Sequence, residues 1–313
     1  MQALELSRPL RRRATLWRLP RLAFALAAAA PLGAQNAPSS SGIRTYCNPV
    51  DIDYKYNWEQ VNQRVSYRSG ADPVVVNHKG EYFLFVTASG GYWHSTDLLR
   101  WRFVTPSRWP FEDNVAPAAI SVGDTLILMQ SAFAPRPLLF STLPATGRLE
   151  FYNRMLPPLP SAVIHGSERE GQLVHRDSIQ PGPWDPALFR DDDGRWYLYW
   201  GSSNVYPLYG IELDPARRRA YKQGPRPAKL LRLHPDRHGW ERFGRNHRDT
   251  IAPYVEGAWM TKHGGRDYLQ YAAPGTEHNV YANGTYVADA PLGPFTYAPY
   301  NPVAYRPGGF MTG

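Results

Sequence analysis

The sequence predicts an all-β chain folded as a β-propeller, and three observations lead there. Aromatic residues make up 13% of the chain, with 10 Trp and 20 Tyr, while 30 Pro and 26 Gly interrupt it. Flat, bulky side chains suit buried pleated strands, and frequent breakers leave little room for long helices. A strand–turn–strand layout stands out in residues 184–203, W-D-P-A-L-F-R-D-D-D-G-R-W-Y-L-Y-W-G-S-S. That layout recurs with starts near residues 72, 116, 185 and 256, each an acidic or small residue followed by an apolar strand and a Gly turn. Four-stranded units repeating between long, variable connections point to a propeller. A β-sandwich with accidental likeness between hairpins remains the alternative at this level. With 43% hydrophobic residues over 313 positions, the chain can bury one large core or two small ones.

Residues 1–34 read as an export signal. They hold six Arg against one acid, then an apolar run from Leu22 to Leu32 that is short for a membrane span, then small residues before Gln35. Arg11-Arg12-Arg13 raises a twin-arginine route, but the residues after it match poorly. This segment carries five of the eight formal positive charges, leaving +3 for the rest. A nucleic-acid partner is not expected, because the only remaining basic run is Arg217-Arg218-Arg219, a solvated turn. Residues 35–45 read as a linker and 46–313 as the folded domain. Cys47 is the single cysteine, so no internal disulfide can form. A secreted or periplasmic bacterial protein is expected, free of the membrane once the signal is cleaved.

In chain order, Tyr46 to Asp53 alternates apolar and polar and is a candidate strand, and 54–68 reads as a loop. Unit one runs through Val74-Val75-Val76, the turn Lys79-Gly80, Tyr82 to Val86, Tyr92 to Ser95 and Leu98 to Phe103. Unit two has Val115 to Ile120, Gly123-Asp124, Thr125 to Gln130, Leu138 to Ser141 and Leu149 to Phe151. Unit three is the 184–203 stretch with a two-residue hairpin at Asp193-Gly194, continued by Tyr209 to Leu213. Unit four has Val255 to Met260, Gly264-Gly265, Tyr268 to Ala272, Thr285 to Ala288 and Phe295 to Tyr297. The intervals 153–183 and 216–254 read as long connections, and 301–313 as the approach to a fifth unit.

The first strand of a propeller blade lines the central channel, so matching positions of different blades converge there. These positions carry Asp72, Ala116 or Ala118, Asp185 and Glu256. Asp before Pro is also an ordinary turn opener, so the signal is three acids at matching places and not any one of them. Converging carboxylates suit glycoside hydrolysis. One is protonated to donate to the leaving oxygen, another is ionised to activate water or attack, and their mutual repulsion separates the two roles.

The chain resembles glycoside hydrolase family 43 over about residues 46–313. The resemblance rests on Asn48-Pro49-Val50, Ala71-Asp72-Pro73 with Lys79 to Phe85, and Trp93-His94-Ser95-Thr96-Asp97-Leu98. It also rests on Trp184-Asp185-Pro186 with Asp192-Asp193-Gly194, and on Val255-Glu256-Gly257-Ala258. It implies a five-bladed propeller, with about four blades in this chain, that hydrolyses arabinose- or xylose-containing glycans with inversion. It further implies Asp72 as general base, Glu256 as general acid, and Asp185 as the third carboxylate that orients the acid and sets its pKa. Inversion calls for base and acid carboxyls roughly 6.5–9.5 Å apart.

Two departures accompany the resemblance. Ala116-Pro117-Ala118 stands where the family often has an acid after Ala-Pro. The fifth blade, which in the family supplies a channel histidine, often a calcium site, and the closing strand, is not expected within 313 residues. The domain would then be incomplete at its C-terminus, with Tyr46 to Val50 left as an open edge.

The candidate sugar-binding aromatics are Trp58, Trp93 and Trp259, with Tyr92 beside them, because aromatic faces stack on sugars. His94 and His278 read as structural. No His spacing suggests a metal, and Asp191-Asp192-Asp193-Gly194 reads as a turn although it resembles part of a calcium loop. No cofactor is expected for the chemistry, with a structural calcium confined to the complete family fold. The expected function is a secreted inverting glycosidase releasing terminal arabinofuranose or xylose from plant-type glycans. A non-catalytic carbohydrate-binding propeller, or an inactive fragment, is the alternative.

Overall fold

The computed structural model describes residues 71–87, 89–107, 116–129, 131, 137–155, 184–204, 207–213, 227–251, 253–276, 278 and 280–305. For 58–60, 65–67, 137–138 and 151–155 it describes backbone alone. The expected export signal and linker, the strand expected at Tyr46 to Asp53 and the side chain of Trp58 lie outside the described residues.

Two short strands, β1 (Trp58–Gln60) and β2 (Val65–Tyr67), pair antiparallel with Trp58 opposite Tyr67. Residues 54–68 therefore contain a hairpin and not only a loop. Strands of three residues are too short for an alternating pattern to show.

Four antiparallel four-stranded blades follow, each adding its strands in chain order. Blade one is β3 (Val74–His78), β4 (Glu81–Phe85), β5 (Tyr92–Ser95) and β6 (Arg102–Val104). Blade two is β7 (Ala118–Val122), β8 (Thr125–Met129), β9 (Pro137–Ser141) and β10 (Glu150–Met155). Blade three is β11 (Ala187–Arg190), β12 (Trp196–Trp200), β13 (Leu208–Leu213) and β14 (Ala228–Leu231). Blade four is β15 (Glu256–His263), β16 (Arg266–Ala273), β17 (Ala282–Ala288) and β18 (Thr296–Tyr297). The all-β propeller architecture expected from the repeats is the one observed.

Most of the buried hydrophobic residues fall into three clusters, one at each junction between successive blades. Phe83, Phe85 and Tyr92 of blade one meet Leu126, Leu128 and Leu139 of blade two. Ala118 and Met129 of blade two meet Leu198, Trp200 and Ile211 of blade three. Tyr197 and Tyr199 of blade three meet Met260, Leu269 and Tyr271 of blade four. The period of two explains the composition of β12. Its Tyr197 and Tyr199 point to one neighbour and its Leu198 and Trp200 to the other, so a strand inside the stack is apolar on both faces.

Three further sequence readings change. The turn between β11 and β12 is not the two-residue Asp193-Gly194 hairpin, because Arg190 pairs with Trp196 and five residues intervene. Asp191 accepts from the Gly194 N–H and donates its own N–H to the Arg195 carbonyl, both at 2.9 Å, and Gly194 takes the positive φ of 84° that closes this wider turn. The interval 216–254 is more than a connection, since it supplies β14. It is also fastened by the buried Glu241, which accepts the His234 N–H at 2.5 Å and the Tyr271 hydroxyl at 2.6 Å. Finally, 301–305 does not open a new blade. The strand β19 (Ala304–Tyr305) pairs back onto β17, with Ala282 opposite Tyr305 and Asn283 opposite Ala304.

Candidate active site

Three blades begin their first strand in the same unusual way. Asp72, Ala116 and Asp185, each followed by Pro, have φ of 53°, 42° and 46°. A non-glycine residue there is strained by roughly 1–2 kcal/mol. The kink turns each residue out of the sheet into the space between the blades, which identifies Ala116 rather than Ala118 as the counterpart of the acids. Ala118 is fully buried in the core between blades two and three. Blade four reaches the same place by a bulge. Glu256 pairs with Ala272 and Trp259 with Gln270, so two residues face one, and Gly257 takes φ of 66°.

These openings line one cavity of about 220 Å³, walled by Asp72, Ala116, Asp185, Glu256, Trp259 and Tyr281, among others. The three acids singled out in the sequence are therefore brought together. Hydroxyls hold them. Thr87 Oγ1 donates to Asp72 Oδ2 at 2.5 Å and accepts the Ala116 N–H at 2.9 Å. Ser131 Oγ accepts the Asp185 N–H at 2.9 Å. Ser202 Oγ donates to Glu256 Oε2 at 3.2 Å, and the Tyr281 hydroxyl donates to Glu256 Oε1. Asp185 Oδ2 accepts the Gly257 N–H at 3.3 Å.

The electrostatics single out Asp185, whose carboxyl is pushed up to about 7. Burial is the main cause, the charges of Glu256 and Asp72 add to it, and the Gly257 N–H and Ser202 hydroxyl oppose it. Burial and Glu256 also push the Tyr281 hydroxyl well above the usual phenol range, so it stays a donor to Glu256.

The aromatics divide. Trp259 lines the cavity and is 36% exposed. Trp93, expected to bind sugar, is 1% exposed and packs edge-on against Phe103 with ring centroids 4.9 Å apart. Tyr92 is equally buried and gives its hydroxyl to the Pro144 carbonyl at 2.5 Å. Neither ring can reach a ligand. His94 stacks on Phe83 and bonds Glu81 at 2.8 Å, and His278 lies edge-on to Phe243. Among the described residues, no group of three or more His, Cys, Asp or Glu could hold a metal ion. Asp191, in the calcium-like turn, is occupied by Lys262 at 2.5 Å. The supporting residues Thr87, Ser131, Ser202 and Tyr281 were not singled out in the sequence. Thr87, Ser131 and Ser202 sit just beyond the second strand of their blades, and each bonds a residue far along the chain.

Residues 168–307 match the family model described as glycosyl hydrolases family 43. Over that segment the chain is similar to glycosyl hydrolases family 43. It is 27% identical to the β-D-galactofuranosidase xynD of Aspergillus niger, over 73% of this chain and 64% of that protein. It is 31% identical to xylosidase/arabinosidase 43A of Humicola insolens, over 36% and 40%, and 29% identical to a β-xylosidase of Xylanibacter ruminicola, over 36% and 39%. The chain thus spans less than two thirds of the curated relatives it matches. In fold it is similar to a thermostable family-43 glycoside hydrolase, with TM-score 0.56 and 22% identity, covering 75% of this chain and 73% of that one. It is also similar to a GH43_12 protein retrieved from a capybara gut metagenome, with TM-score 0.53 and 19% identity, covering 77% and 44%.

Proposed function

We propose that the protein is an exported inverting glycosidase that removes terminal arabinofuranose or xylose from plant-type polysaccharides or oligosaccharides. The observation that carries this reading is the single cavity shared by carboxylates from three blades. Asp72, on blade one, is the general base that draws a proton from water. Glu256, on blade four, is the general acid that protonates the leaving oxygen. The two stand on blades that are not sequence neighbours, an arrangement that suits a water between base and sugar. Asp185 lies beside both and governs how their proton is shared. Close carboxyls titrate as a group, so the raised Asp185 means that the site retains a proton up to about neutral pH. Ser202 and Tyr281 fix the two oxygens of Glu256. Trp259 offers an aromatic face to the sugar ring. The chemistry needs no cofactor. The names of relatives, which include xylosidase and arabinosidase, support a pentose at the cavity.

The test is release of pentose from 4-nitrophenyl α-L-arabinofuranoside and 4-nitrophenyl β-D-xyloside, with the anomer of the first product followed by NMR. Glu256→Gln should lose activity most on substrates with poor leaving groups, and Asp72→Asn should be inactive on all. Wild-type turnover by either variant removes that assignment. Sugar binding without hydrolysis would replace the enzyme by a carbohydrate-binding propeller.

A further inference from the structure

One pattern holds at the first two blade junctions, and the third carries a variant of it. Extending the β3–β4 register, in which Val74 lies opposite Phe85, places Asp72 opposite Thr87. Extending β7–β8, in which Ala118 lies opposite Met129, places Ala116 opposite Ser131. In each case the hydroxyl residue ends the inner hairpin of its own blade and bonds to the residue that opens the next. Thr87 of blade one takes the N–H of Ala116, and Ser131 of blade two takes the N–H of Asp185. Ser202 of blade three donates to Glu256, and beside it Ser203 and Val255 exchange two backbone bonds at 3.0 Å.

A hydroxyl suits these places, because it can receive a backbone N–H and donate to a carboxylate at once. Thr87 does both, which ties the orientation of Asp72 to the position of the neighbouring blade. Two of the residues receiving these bonds, Ala116 and Asp185, hold strained positive φ, and such backbones persist only where surrounding contacts over-determine them.

We propose that Thr87, Ser131 and Ser202 form a hydroxyl relay of positioning residues that sets the mutual placement of Asp72, Asp185 and Glu256. Thr87 is its principal member, because its hydroxyl donates to the carboxylate of its own blade and accepts an N–H of the next. The inference rests on the glycosidase reading for its kinetic consequence, but the placement can be measured without turnover. Asp185 faces Glu256 of blade four and Asp72 of blade one, along with the Gly257 N–H and the Ser202 hydroxyl. Releasing Asp72 changes that surrounding.

The experiment compares wild type with Thr87→Val, which keeps the shape and removes the hydroxyl, and Thr87→Ser, which restores it. In carbon-13-labelled protein the Asp185 carboxyl should titrate lower in Thr87→Val by about half a pH unit or more, as Asp72 swings away, and return to wild type in Thr87→Ser. On aryl pentosides, kcat should fall about 10–100-fold in Thr87→Val with KM within about two-fold, and recover within about three-fold in Thr87→Ser. An unchanged Asp185 titration in Thr87→Val overturns the relay, whatever the activity. A shifted titration in a chain whose wild type releases no sugar leaves the relay standing and removes the glycosidase reading. Should Thr87→Val not fold, the same titration on Ser131→Ala and its conservative partner Ser131→Thr decides. Loss of the wild-type curve in Ser131→Ala and its return in Ser131→Thr supports the relay, and any other result overturns it.

Discussion

Replacing Asp185 by Asn should stabilise the fold while removing activity, and by an amount that depends on pH. A carboxyl held near 7, against an ordinary value near 3.8, has its charged form disfavoured by roughly 4 kcal/mol at most, at about 1.4 kcal/mol per pH unit. Water entry and rearrangement of the neighbouring acids reduce this, so about 2 kcal/mol is the working figure. The sign follows from proton counting. Between about pH 4 and pH 7 the folded state holds a proton on Asp185 that the unfolded chain has released, so stability falls as pH rises through that window and levels above it. Asn carries no charge at any pH, tolerates positive φ as well as Asp does, and can still accept the Gly257 N–H. Melting curves from pH 4 to pH 8 should show near-equal midpoints for the two proteins at the acid end. At pH 8 the variant should melt about 4–8 °C higher, on the scaling for a domain of this size. A constant difference across the range, or a less stable variant at pH 8, would refute the idea that Asp185 is held at a cost for its chemistry.

Two of the three tryptophans expected to bind sugar, Trp93 and Trp259, should behave in opposite ways. Trp93→Ala empties a filled core site and should cost about 3–5 kcal/mol in denaturant unfolding, whereas Trp259→Ala, at the cavity wall, should raise KM on aryl pentosides several-fold with little change in melting. Ala116→Gly removes the Cβ that makes φ of 42° unfavourable. It should raise stability by about 1 kcal/mol in the same unfolding measurement, and a loss of stability would show that the Ala116 methyl contributes more by packing than it costs in strain.

The blades were legible in the sequence because each carries its own local signals: an apolar strand, a Gly turn and a second apolar strand within about twenty residues. The acids were legible because their positions repeat with the blades. Other features depend on pairs far apart in the chain, and no local pattern reports them. Thr87 bonds a residue 29 positions on, and Ser131 and Ser202 each bond one 54 positions on. Trp93 departs from its expected place for a different reason, which comparison with Trp259 makes plain. Both sit in strands, and period two says that a side chain leaves one face without saying whether a neighbouring blade covers it. Here Trp93 is enclosed, while Trp259 follows the bulge that brings Glu256 to the cavity. The turn at Asp191 was misread because Asp193-Gly194 is a genuine hairpin signal, and only the pairing of Arg190 with Trp196 shows where the strands end.

Ala116 separates what the architecture requires from what the chemistry requires. It takes the same positive φ as Asp72 and Asp185, precedes a proline as they do, and lines the same cavity, yet it has no carboxylate. The strained opening therefore cannot be explained as something the acids impose on their backbone. It belongs to the way a blade turns from its approach into its first strand, and it is held by the hydroxyl of the preceding blade whether or not an acid follows. A backbone already turned into the channel supplies a fixed place for a functional side chain, and in blades one and three that place is filled by an acid. Blade four shows the same economy by another route, since its bulge and Gly257 deliver Glu256 without strain in a non-glycine residue. Leaving blade two without an acid also limits the repulsion at Asp185. A fourth carboxylate beside Ser131 would add to the charges of Glu256 and Asp72 and drive that carboxyl higher still, until the site held its protons too tightly to keep an ionised base.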